Sequence, residues 1–75
     1  MDGFAIIRIF YKGEAETHSV EFKGTLHEAQ QRFYNIVAAD LANNDITYQA
    51  CYIIDANGLM VEGRTFDRRP EPNEA

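Results

Sequence analysis

The feature that most constrains this chain is one amphipathic helical stretch, Thr25 to Asn43, set between two segments that read as strand pairs. Leu26, Ala29, Phe33, Ile36, Val37 and Leu41 recur at three- and four-residue steps and share one side of a helix; Glu28, Gln31, Arg32, Asn35 and Ala39 take the other. Thr25 followed by Glu28 predicts a capping box at the start, and Asn43-Asn44 predicts a left-handed stop. A single helix cannot bury its apolar stripe alone, so the flanking segments must supply a sheet for it to lie on.

Phe4 to Tyr11 is rich in branched and aromatic residues and predicts a strand, with a second from Glu16 to Phe22. Gly13-Glu14 between them suits a two-residue type II′ loop. That loop pairs Lys12 with Ala15, Ile9 with His18, Ile7 with Val20 and Ala5 with Phe22. Ala5, Ile7, Ile9, Tyr11, Val20 and Phe22 then share one face, which supports the register. Beyond the helix, Ile46 to Asp55 and Leu59 to Phe66 predict two more strands, joined by Asn57-Gly58 as a type I′ turn. Ile54 then faces Val61, and Tyr52 faces Gly63, where the missing side chain leaves room for the ring.

The result is an α+β fold, a two-layer ββαββ sandwich of one helix on a four-stranded sheet. The first and third strands are the most apolar and belong in the centre, predicting the order 2-1-3-4, antiparallel throughout. The competing order, 2-1-4-3, is the arrangement of small β-grasp folds. Residues 1–66 form the single domain. Residues 67–75, DRRPEPNEA, lose all periodicity, and Pro70 and Pro72 cannot join a ladder, so a disordered tail is expected.

At 75 residues the chain buries only about 60% of the surface its unfolded form exposes, so additional support is valuable. Cys51 is the only cysteine, which rules out an intrachain disulfide, and with His18 and His27 it makes no ligand spacing. No metal or cofactor is expected, and a partner subunit becomes the natural support. A net charge of −5 weighs against nucleic acid and anionic lipid. The apolar runs are too short to span a membrane, and a free thiol fits a cytoplasmic setting. No nucleophile with a base and no Gly-rich phosphate loop is visible, so no enzymatic activity is expected.

Two candidate sites follow. If the helix covers the face of Ala5, Ile7 and Ile9, the other face carries Phe4, Ile6, Arg8, Phe10, Cys51, Ile53, Met60, Glu62, Arg64 and Phe66. An exposed apolar face of that size marks an interaction site. The reading is an adaptor or regulatory domain that homodimerises there, or meets an unknown protein partner, unless the tail folds back over it. The same aromatic and arginine side chains admit a single-stranded nucleic-acid binder as the alternative. The second site is Asp40, an acid on the apolar stripe, expected to be satisfied by Tyr11, His18 and Tyr48 in a structural polar cluster. Its functional version has Asp40 orienting His18 as an acid–base pair.

Overall fold

The computed structural model describes residues 3–69. Strands β1 (Phe4–Lys12), β2 (Ala15–Lys23), β3 (Ile46–Asp55) and β4 (Met60–Asp67) form one antiparallel sheet in the order 2-1-3-4, and helix α1 (Leu26–Ala42) packs on it. The fold and strand order are those the hydrophobic pattern predicts.

The first hairpin has the expected register, from Lys12 opposite Ala15 to Phe4 opposite Lys23. Gly13 sits at φ 65° and Glu14 has no positive φ, the signature of a II′ loop. The second hairpin differs from expectation. A type I′ turn needs Asn57 at positive φ, and only Gly58, at 85°, is there. Asp55 is the reason: its carboxylate accepts the N–H groups of Asn57 (2.9 Å) and Leu59 (3.0 Å), and its carbonyl accepts that of Gly58 (3.0 Å). This Asx arrangement keeps Asn57 out of the left-handed region. The longer loop puts a bulge into β4, so Ile54 faces Met60 rather than Val61, while Tyr52 still faces Gly63.

Thr25 caps α1, its hydroxyl accepting the Glu28 N–H at 3.2 Å and lying 3.2 Å from the Glu28 carboxylate. The far end is not the left-handed Asn stop. Asn43 is extended (φ −94°, ψ 107°), and the terminal carbonyls are met by an arginine from the end of β4. The Arg68 guanidinium donates to the carbonyls of Leu41 (2.5 Å), Asn43 (3.0 Å) and Ile46 (3.2 Å). A cation there suits the negative end of the helix dipole, and α1 has no basic residue of its own in the last turn. The order expected to stop at Phe66 therefore continues: Asp67 belongs to β4, and the Arg68 N–H donates to the Thr47 carbonyl at 2.7 Å. Residues 70–75 of the predicted tail lie outside the described residues.

The largest departure concerns which face α1 covers. The core is Ile6, Cys51 and Ile53 of the sheet against Ala29, Phe33 and Ile36 of the helix, with Phe4 and Val37 at its margin. The helix lies on the face expected to be open, and the face expected to be covered is the free one. The buried helical stripe is Ala29, Phe33, Ile36 and Asp40, leaving Leu26 and Leu41 at its exposed flanks.

Candidate interaction surface

Strand alternation assigns the helix-free face. It carries Ala5, Ile7, Ile9 and Tyr11 of β1, and Tyr48, Ala50, Tyr52 and Ile54 of β3. From β2 come Glu16, His18, Val20 and Phe22, and the β4 bulge adds Met60. Its rim is open to water: Phe22 is 69% exposed, Met60 61% and Val20 53%. Ala50, in the middle, is shielded by its neighbours. Gly63 does what the sequence implies, because a Cβ there would come within 2.8 Å of the Tyr52 ring and 3.0 Å of the Met60 sulfur. Tyr52 and Met60 thus close over the glycine and make the surface continuous across β3 and β4.

One corner of this face is polar. Tyr11 and Tyr48 meet edge to face, centroids 5.6 Å apart, and Arg69 lies over both, 4.8 Å from the Tyr48 ring and 5.4 Å from Tyr11. Arg69 also pairs with Asp67 at 2.9 Å, and its hydrogen bonds pull the Asp67 carboxyl down to about 2. At the β2 edge, His18 and Glu16 lie 3.1 Å apart, both well exposed.

Most of the interface residues inferred from the sequence are on the opposite side. Ile6, Cys51 and Ile53 are fully buried beneath α1. Phe4 packs against the same core, Phe10 is half-buried under the Arg8 guanidinium (4.0 Å to the ring), and Arg64 and Phe66 share that side by register. Met60 alone is brought to the free face, by the bulge. Phe4, Phe10 and Arg8, three of the side chains a base-stacking surface would use, are engaged on the helix side.

The Asp40 cluster is corrected in the same way. Asp40 is 2% exposed, and its partners are Arg8, through two bonds of 3.0 and 2.5 Å, and the Gln49 side-chain amide at 3.0 Å. Tyr11, His18 and Tyr48 lie across the sheet from it, so Asp40 cannot orient His18. The fork of Arg8 matches both carboxylate oxygens and neutralises an acid held at the unfavourable end of the helix. Gln49, fully buried, keeps its Oε1 without a partner. Further pairs across the same layer join Arg32 to Glu21 (2.9 Å), Gln30 to Glu62 (3.3 Å) and the Tyr34 hydroxyl to Glu62. Glu21 is held below, and Tyr34 above, its ordinary value by these hydrogen bonds.

Burial, with the neighbouring Asp40 charge second, pushes the Cys51 thiol up to about 11, so it is a packing residue with no thiolate character at neutral pH. Among the described residues no group of three or more His, Cys, Asp or Glu side chains is placed to hold a metal, and no helix is long and apolar enough to cross a membrane. No protein-family model, curated protein or solved structure matches this chain.

Proposed function

We propose that this chain is a non-catalytic protein–protein contact domain, of an adaptor or regulatory kind, which homodimerises through the helix-free face of its sheet. One observation carries the reading: Ile7, Ile9, Val20, Phe22, Tyr52, Ile54 and Met60 form a contiguous apolar surface with no helix over it. Antiparallel sheets of this kind normally turn polar side chains to water on their uncovered face. Strands about 4.8 Å apart and roughly nine residues long at ~3.3 Å each give a footprint of roughly 570 Å², so two such faces remove about 1,100 Å² from water. That is the lower end for a specific contact and fits a reversible pair. A cytoplasmic setting, in which a lone thiol stays reduced, is part of the same reading.

The test is solution mass by light scattering on the native chain and on Ile9→Lys, with circular dichroism to establish that the variant folds. Ile9 sits on the free face between His18 and Ala50. The native chain is expected to associate and the folded variant to have half its mass. A native monomer at the highest attainable concentration, or a folded variant of unchanged mass, overturns the proposal.

A further inference from the structure

The two edges of the sheet differ. The β4 edge is broken by its bulge beside Ile54 and by Gly63, and its end is turned toward α1 by Arg68. Bulges, short regular runs and charged side chains are among the devices that stop an edge from pairing with another chain. The β2 edge has no bulge and a long regular run, and its charges are Glu16, Glu21 and Lys23. It pairs with β1 without a register shift along its whole length, Ala15 to Lys23, and contains neither proline nor glycine.

Its free hydrogen-bonding groups follow from the hairpin. A two-residue loop closes on a hydrogen-bonded pair, here Lys12 with Ala15, and such pairs alternate along an antiparallel ladder. Ala15, Thr17, Ser19, Glu21 and Lys23 therefore bond to β1, while the N–H and C=O groups of Glu16, His18, Val20 and Phe22 point out of the sheet. Those same residues carry the outer margin of the apolar face, including its exposed rings and branches at Phe22 and Val20.

We propose that a second copy of this chain pairs antiparallel along β2, about a two-fold axis at Ser19, to continue the sheet from one copy into the next. A two-fold at Ser19 engages the full strand, because Ala15 then meets Lys23 of the second copy. The cross-strand neighbours are compatible: Glu16 meets Phe22, His18 meets Val20, and Thr17 meets Glu21, with no like charges opposed. Moving the axis to His18 opposes the two imidazoles and strands residues at one end. Moving it to Val20 leaves Ala15 without a partner strand. The axis stands perpendicular to the sheet, so both helices fall on one side and the two apolar faces merge into one surface of twice the width. This contact does not depend on the face-to-face contact proposed above, and together they assemble four copies, two edge pairs stacked through their free faces.

Amide hydrogen exchange on the native chain tests the edge directly. Glu16, His18, Val20 and Phe22 are expected to be protected along with their neighbours Thr17, Ser19 and Glu21, and to lose that protection on dilution. Fast exchange at those four amides at high concentration overturns the proposal, as does protection appearing at the β4 edge in its place. His18→Pro removes one outward N–H without touching a β1 bond; when folded, it is expected to leave only face pairs, of half the native mass. Unchanged mass in a folded His18→Pro overturns edge pairing. Ile9→Lys separates the two contacts, since it is expected to keep the β2 protection while losing the face contact.

Discussion

Removing the cation from beneath the helix is the most demanding test of how this fold holds together. Arg8→Met keeps the length and most of the bulk of the side chain but leaves the Asp40 carboxylate, 2% exposed, with only the Gln49 amide at 3.0 Å. Breaking a buried pair by deleting one partner costs about 3–5 kcal/mol, because the remaining charge stays out of water uncompensated. For a 75-residue chain the whole stability is about 4–11 kcal/mol, so the loss is a large share of it. With an unfolding entropy of about 2.1 cal/mol/K per residue, a 3 kcal/mol loss lowers Tm by roughly 19 °C. Replacing both partners, as Arg8→Met with Asp40→Leu, removes the stranded charge and is expected to return to within about 1 kcal/mol of the native chain. Urea unfolding followed by circular dichroism at one fixed protein concentration measures all four chains, native, Arg8→Met, Asp40→Leu and the double variant. If Arg8→Met costs under about 1 kcal/mol, or the double change costs as much as the two single changes added, Asp40 is not held by Arg8 in the way described.

Three further outcomes are expected. Arg68→Met strips the cation from the carbonyls of Leu41, Asn43 and Ile46 and should destabilise by about 1 kcal/mol, read by urea midpoint, with faster exchange of the amides in the last turn of α1. Gly63→Ala drives a methyl group to 2.8 Å from the Tyr52 ring and should cost about 1–3 kcal/mol in thermal unfolding, whereas Gly63→Ala combined with Tyr52→Ala should lose less than the sum. The Cys51 thiol, with an ordinary value of 9.0, is held near 11, so above pH 9 the unfolded chain releases its proton first; stability should fall as pH rises from about 9 to 11, and a Cys51→Ala variant should lack that slope.

The order of strands, the helix and the first hairpin were legible because each rests on local periodicity: alternation in Phe4–Tyr11, three- and four-residue steps in Ala29–Ile36, and a glycine where a II′ loop needs one. The face that the helix covers was not legible from alternation, because both sides of β1 and β3 are apolar. Isoleucines stand at positions 6, 7 and 9 on β1 and at 53 and 54 on β3. What decides it is polar matching between the layers. Asp40 on the buried stripe needs a cation, and of the two in the central strands, Arg8 and Lys12, it is Arg8, well inside β1, that meets it, so the side of Arg8 is the side of the helix. The three tyrosines of the other side, Tyr11, Tyr48 and Tyr52, fit an open face, where ring bodies can be half-covered and hydroxyls stay wet. The Asp55 loop and the Arg68 cap escaped notice for a related reason. Each depends on a side chain bonding backbone groups, which residue periodicity does not encode: Asp55 meets amides two and four positions on, and Arg68 reaches its most distant carbonyl acceptor 27 positions back.

That reach has a bearing on how the molecule comes into being. Arg68 follows Asn43 by 25 positions and Leu41 by 27, so those carbonyls have no guanidinium to accept from until the chain has been made through Arg68. The same residue holds both ends of that junction, its guanidinium on the helix carbonyls and its backbone N–H on the Thr47 carbonyl beside the last described strand. A truncated translation product ending at Asp67 would possess every strand and the helix, yet lack the side chain that fastens them together at that end.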